Sequence, residues 1–374
     1  MAAPLQTNDA PQTKPAAKPA IRVLLIAPSL NILGGQAVQA QRLLSELRQD
    51  PSISIDFIPI VPVFPGPFRA LQSIRYLRTI LTFLYYLPGV FWNVPRYEIV
   101  HIFSASYWSY VLWSIPPLLL GRLLGKKVIL NYRSGEADDH LTNWRSALPT
   151  IRLADAIISP SGYLVDVFAR FGLKIRSIYN IIDPGQFRYR QRRKLRPVFL
   201  HNRILEPLYN VQCALRAFHI VQQKYPDATL TIAHDGISRP GLEAFARELG
   251  LRNTTFIGRV PHSKVAELYD SVDIYLTCPD LDCMPGSLLE CYASGLPLIA
   301  TRAGGIPYIV KDGETGLLVD LNDHEAMAAC ALRLLEDEEL VERLTQQGRQ
   351  ELEKYNGKPV REQWVRLYRD LVTR

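Results

Sequence analysis

The sequence predicts an α/β protein of two Rossmann-like domains facing a central cleft. Three observations carry this reading. Strand-like and helix-like segments alternate twice over, from 21 to 183 and again from 198 to 356, and such alternation builds parallel sheets covered by helices. A basic run bounded by prolines, Pro184 to Pro197, parts the two series and reads as a linker. The chain has 374 residues, 48% of them hydrophobic and 21% charged, which gives an ordinary globular composition with room for two cores.

The ends and the bulk numbers narrow the class. Residues 1–20 are rich in Ala, Pro, Gln and Thr and read as a disordered tail without a signal-peptide core. No window holds eighteen uninterrupted apolar residues, which argues against a spanning helix. Cys213, Cys278, Cys283, Cys291 and Cys330 show no metal-ligand spacing. An odd count without an export signal fits reduced thiols in the cytoplasm. The net charge of +7 suits phosphorylated substrates, an anionic membrane face or nucleic acid.

In the first series, Ile21 to Ala27 is a branched apolar run and reads as the first parallel strand. Gly34-Gly35 then lets backbone approach a ligand at the start of an amphipathic helix, 37–47, or serves only the turn. The dinucleotide spacing G-x-G-x-x-G is missing. Ile53 to Ile60 reads as the second strand. From Pro65 to Arg96, Arg69, Arg75 and Arg78 interleave with Phe, Tyr and Trp on helix-like stretches broken at Pro88. This suits a helix lying in a membrane interface; the alternative is a helix pair packed on its own sheet. Glu98 to Phe103 and Lys127 to Asn131 are strands, with a helix from Trp108 to Leu124 interrupted at Pro116-Pro117 between them. The polar loop after Asn131 carries Arg133, Gly135 and His140 at a strand's carboxyl end, where ligands bind in open α/β sheets. Leu153 to Ser161 closes the series with a strand and a helix cap.

The second series opens with the strand Val198 to His201, followed by Arg203 and a helix from Cys213. A strand and turn follow at 228–236, then 253–260 as a strand ending at Gly258. The linker's basic character also admits a nucleic-acid arm, but no base-stacking or groove-reading module surrounds it. The last helix, Val360 to Leu371, lines up Trp364, Leu367, Tyr368 and Leu371 on one stripe.

The richest stretch is 281–307. An apolar strand at 271–278 leads into Asp282, Met284, Pro285, Gly286, Ser287 and Leu288, then a helix holding Glu290 and stopped by Gly295. Open N–H groups at Gly286 to Leu289 make a site for a diphosphate. Asp282 and Glu290 can flank the same cleft and bind sugar or ribose hydroxyls. Asp282-x7-Glu290, Ala293-Ser-Gly-Leu-Pro297, Ala303-Gly-Gly-Ile-Pro307 and Asp312-Gly-Glu-Thr-Gly-Leu-Leu-Val319, in that order, resemble the retaining glycosyltransferases of family 4.

That resemblance implies the GT-B fold, with an acceptor domain at 21–183 completed by the helix 357–374 and a nucleotide-sugar domain at 198–356. It implies transfer of a hexose from a nucleoside-diphosphate sugar to an acceptor hydroxyl, in polysaccharide or glycolipid assembly, with no metal. Arg203, Asp282 and Arg133 are the implied catalytic residues. Gly34, Gly35, Arg203, Gly258, Asp282, Met284 to Leu288 and Glu290 are the implied donor contacts. The chain departs from the family pattern in carrying Asp282 for Glu, Tyr209 near the usual Lys, Ile181 for a Gly, and no His-Gly element after Asn131. A catalytically weak scaffold of the same fold, or a nucleotide-sugar epimerase, are the alternatives. Expected partners are the nucleotide sugar, a sugar or lipid-linked acceptor and an anionic membrane surface, not nucleic acid. The expected location is the cytoplasm, peripheral on the inner face of the plasma membrane.

Overall fold

The computed structural model describes residues 20–30, 34–61 and 75–373, with side chains from 78 in the helix that begins at 75. Residues 1–19 of the expected tail, and 65–74 of the aromatic and basic stretch, lie outside the described residues. Six strands form the first sheet: β1 Ile21–Ala27, β2 Ile53–Pro59, β3 Ile99–Ser104, β4 Lys127–Tyr132, β5 Ala156–Ser159 and β6 Arg176–Ser177. Six more form the second: β7 Val198–Asn202, β8 Thr229–Ala233, β9 Thr254–Gly258, β10 Ile274–Thr277, β11 Leu298–Thr301 and β12 Leu317–Val319. Every strand pairing within the two sheets is parallel. Runs such as Ile-Val-His-Ile-Phe-Ser in β3 are buried throughout because helices cover both faces.

Strand order positions the sites. The first sheet runs β2-β1-β3-β4-β5-β6 and the second β12-β11-β10-β7-β8-β9. Order reverses between β1 and β3 in one sheet, and between β7 and β10 in the other. Crossovers leave such a strand pair on opposite faces, so a crevice opens at the carboxyl ends there.

Three details differ from the local sequence reading. Helix Arg75–Asn93 runs straight through Pro88. The carbonyl that Pro88 cannot bond belongs to Leu84, which is exposed and open to water. Pro116 and Pro117 do not interrupt the third crossover; they fill the first turn of Ile115–Leu123, where no N–H is needed. The preceding turn, Tyr110–Ser114, is wound as a π-helix. The basic run 184–197 is docked on the second domain. Arg192, buried, donates to the carbonyls of Ser294 (2.6 Å), Gly295 (2.8 Å), Tyr269 (3.0 Å) and Val272 (2.9 Å). Arg190 and Arg196 pair with the buried Asp273.

The final helix, Gly357–Val372, lies on the first sheet. Val360, Trp364, Leu367, Tyr368 and Leu371 join the core made by β1, β3 and helix Gly35–Leu47. His101 of β3 bonds the Tyr368 hydroxyl at 2.8 Å, with the Trp364 ring centred 4.4 Å away. The two domains close on each other. One apolar cluster includes Tyr132 and Leu164 of the first domain with Cys283, Met284, Leu288 and Ile306 of the second. Tyr308 donates to Asp166, and a Cβ on Gly162 would overlap the Tyr308 ring.

Candidate active site

The site grows from the β7/β10 crevice. Arg203 follows β7 and Asp282 lies in the loop after β10; the two pair directly, with side chains only 15% and 12% exposed. The guanidinium carbon sits 4.6 Å from the centre of the Tyr209 ring. Burial disfavours the Arg203 charge, but Asp282 and the neighbouring tyrosines outweigh it and hold the guanidinium pKa above its ordinary value. Tyr209 therefore stands as a lid on Arg203, near the place where the resemblance had led to a Lys.

The loop that carries Asp282 is held by Ala303-Gly304-Gly305. Gly305 N–H donates to the Asp282 carbonyl at 2.7 Å. Gly304 has φ +49°, and a side chain at either glycine would overlap the 282–283 backbone. Here the Gly pair is needed for close approach. Met284 and Pro285 are buried behind the loop, and Gly286 opens helix Gly286–Ser294, in which Ser287 and Leu288 are buried. Gly295 ends that helix in the left-handed region, φ +61°. Asp280, two residues before Asp282, accepts instead from Asn210 at 3.1 Å. Among the described residues no three His, Cys, Asp or Glu converge to hold a metal ion.

Glu290, half-buried, faces the first domain. Its carboxylate lies near Arg42 of helix Gly35–Leu47, as does Asp183. Burial pulls the Arg42 pKa below its ordinary value and the two carboxylates oppose that. Arg42 and Gln39 both donate to the Ile181 carbonyl at 3.0 Å, and Gln39 accepts from Ile181 N–H at 2.8 Å. Sequence reading missed Arg42; the signal was a lone cation following the buried Gln39 and Ala40 of an otherwise polar-faced helix. Gly34 and Gly35 begin this helix, and the space beyond their backbone is open. Gly258 ends β9 with φ +73° against Arg239, and its carbonyl accepts from His234 N–H at 2.7 Å.

Arg133 is placed differently from the others. It donates to Asn180 and, at 3.3 Å, to Asn131, and lies 4.4 Å from the centre of the Phe103 ring. Burial pushes its pKa down to about 10. These contacts are all within the first domain. Gly135 does meet the site, packing against Leu281 and the 282–283 backbone. His140 is buried, bonded through Nδ1 to the Tyr132 hydroxyl at 2.8 Å and ringed by Tyr107, Tyr110 and Trp144.

Residues 186–351, which contain Arg203, Asp282 and Glu290, match the family model described as glycosyl transferases group 1. The match takes in the second sheet and its helices and leaves the first sheet outside it. The chain is 27% identical over 209 residues to N-acetyl-alpha-D-glucosaminyl L-malate synthase of Bacillus anthracis, covering 53% of this chain and 54% of that one. It spans about half the length of the curated relatives it matches. Its structure is similar to sucrose-phosphate synthase from Thermosynechococcus elongatus, with a TM-score of 0.71 at 18% identity over 94% of this chain and 99% of that one. It is similar also to HepE of Anabaena, solved in complex with UDP-glucose, with a TM-score of 0.72 at 16% identity over 94% and 100%. The fold is GT-B.

Proposed function

We propose that the chain is a retaining glycosyltransferase that moves a hexose from a nucleoside-diphosphate sugar to an acceptor hydroxyl in polysaccharide or glycolipid assembly. The observation that carries this is the Arg203–Asp282 pair at the β7/β10 crevice, beside the first turn of the helix that holds Glu290. Arg203 and the open amides at Gly286 and Ser287 would offset charge on the leaving diphosphate. Asp282 would then accept the transferred sugar's hydroxyls, and Glu290 the ribose hydroxyls. Gly34-Gly35 closes from the opposite domain, Gly258 borders the base, and Arg133 orients the Asn131–Asn180 wall of the first domain. Closure excludes water and so suppresses donor hydrolysis. With this set of cations and amides the diphosphate is balanced without a metal. HepE, a structural neighbour, was solved with UDP-glucose, which favours a UDP sugar as donor.

The acceptor reading rests on the first domain. Between Phe57 and Tyr132 the chain holds seven Lys and Arg (69, 75, 78, 96, 122, 126 and 127) against one acid, Glu98. Exposed Trp92 (69%), Trp108 (67%) and Leu123 (82%) lie in the same stretch. Such a surface suits peripheral attachment to an anionic membrane and a lipid-linked acceptor, at the cytoplasmic face. Among the described residues no helix is long and apolar enough to cross a membrane.

The test is a thermal-shift panel of UDP-, GDP- and ADP-sugars, followed by transfer assays in which the anomer of the product is read by NMR. At a hundred times its Kd a true donor stabilises by about 2.7 kcal/mol. A second reading, a donor-binding scaffold without turnover, is favoured by the tyrosine lid on Arg203. Stabilisation by a donor with no transfer and no hydrolysis would select it. An α-donor giving a β-product would overturn retention.

A further inference from the structure

The β1/β3 switch point of the first sheet carries a cavity of about 150 Å³. Its walls are mostly apolar: Ile60 and Val61 after β2, Phe103 and Ala105 at the end of β3, and Trp113 from the π-wound turn. Gln36, one residue after the Gly34-Gly35 pair, sits at one side, so the cavity opens beside the loop that faces the proposed donor. Ser114 also lines it but already donates to Ser104 at 3.1 Å. Among the described residues, Gln36 and Ser109 are the remaining polar side chains of the lining.

Polarity decides what fits. A hexose ring would fill such a volume, but it would bury several hydroxyls against two polar side chains, leaving most unpaired. An apolar cavity of this size takes one benzene-sized group, about six carbons. The Trp113 wall is also the link to the exposed face. Its ring packs edge-on against Phe83 (5.9 Å) and Tyr86 (5.3 Å), and its carbonyl accepts from the Tyr86 hydroxyl at 2.8 Å. Helix Arg75–Asn93, on which those two residues lie, presents Ile80, Leu84, Phe91 and Trp92 to the outside. Cavity and basic, apolar face are thus built on the same two crossovers.

We propose that this cavity holds the apolar segment next to the reacting hydroxyl of an amphiphilic acceptor. This rests on the glycosyltransferase reading and assigns the acceptor's chemical class. The acceptor is a lipid-like aglycone or carrier whose first half-dozen carbons enter the first domain, while the remainder stays with the membrane-facing helices.

Methyl, butyl, hexyl and octyl β-glucosides, each below its micelle-forming concentration, are the probes, titrated calorimetrically into the full chain. Affinity should rise about fourfold per added methylene, as for burial of one CH₂, and level off between hexyl and octyl when the cavity is full. Ala105→Leu and Val61→Phe fill it from different walls, so one suffices should the other not fold. Either should weaken hexyl-glucoside binding at least tenfold and flatten the series, with UDP-glucose affinity unchanged. Equal affinities for methyl and hexyl glucosides overturn the proposal. So does a chain-length series that continues unchanged in both filled variants, which is adsorption to the outer face. Donor affinity is measured in the same samples without glucoside. Its absence across the nucleotide-sugar panel overturns the underlying reading, whereas a flat series with donor binding intact overturns this inference alone.

Discussion

Arg203 and Glu290 divide the proposed chemistry into two measurable parts. If Glu290 holds the ribose as proposed, it touches no reacting group, so Glu290→Ala should raise the donor Kd about tenfold, roughly 1.4 kcal/mol, with turnover of bound donor little changed. Isothermal titration with the UDP sugar checks this; an unchanged Kd in a folded variant removes the ribose role. If Arg203 meets charge that grows in the transition state, as proposed, Arg203→Ala should lower kcat by about a hundredfold or more and donor affinity less. Equal losses in both would make it a ground-state binder. The Asp282/Glu290 spacing was legible because both residues sit on one short loop and helix, where position along the chain fixes position in space. The environment of Arg133 was not. Its partner Asn180 is 47 residues away, and no local pattern tells a loop arginine that it will be buried. Arg42 escaped for the same reason, since the carboxylates that support it come from Asp183 and from Glu290 in the other domain.

At the level of elements, the basic run 184–197 is the sharpest departure from a plain reading of charge. Such a run is usually solvated, yet Arg192 is buried and closes four carbonyls at the ends of helices His262–Ser271 and Gly286–Ser294. Arg192→Leu would leave those four carbonyls without their donor, while Asp273 keeps Arg190 and Arg196. The expected loss is about 3–5 kcal/mol in urea unfolding; a loss below about 1 kcal/mol would mean that water replaces the guanidinium. The helices Arg75–Asn93 and Ile115–Leu123 make the other element-scale claim. Flotation with anionic vesicles should occur at low salt and fall as salt rises, because cations near the surface contribute about 1 kcal/mol each and are screened. It should not vanish, since the apolar term survives salt. A variant with Arg78→Glu, Arg96→Glu and Trp92→Ala should stay in the bottom fraction. Equal flotation of both proteins would return these helices to ordinary packing.

Across the whole molecule, the alternation of segments made the fold legible, since a parallel sheet needs a helix between successive strands. How tightly the domains close was not legible, because it depends on pairs such as Tyr308 with Asp166, which lie 142 residues apart in the chain. Stability against acid is also a property of the whole. Burial pushes the pKa values of His101 and His201 down to about 3, with the charges of Arg133 and Arg203 adding to it. Both titrate near 6.5 when unfolded. Between these values the unfolded chain binds more protons, so stability is full above about pH 6.5 and falls as pH drops towards 3. Each imidazole contributes up to about 1.4 kcal/mol per pH unit. Denaturation at pH 7, 6 and 5 should show this slope, and His101→Gln should reduce it by about one proton's worth. An unchanged slope in that variant would assign acid lability to the carboxylates instead.

The chain crosses between its domains twice, and the crossings lie side by side: Ile182 bridges Asn356, and Ile182 N–H donates to the Tyr355 carbonyl at 2.9 Å. In genetic terms the second domain sits as a cassette between two segments that encode the first. Its two seams are about 5 Å apart, the spacing of neighbouring strands, so an in-frame deletion joining codon 182 to codon 356 would leave the first sheet with its covering helix still attached. A premature stop at codon 356 would have the opposite effect. It would spare every residue of the second domain, yet strip Val360, Trp364 and Tyr368 from β1 and β3. A nonsense mutation at codon 356 therefore damages the domain built from residues 21–183.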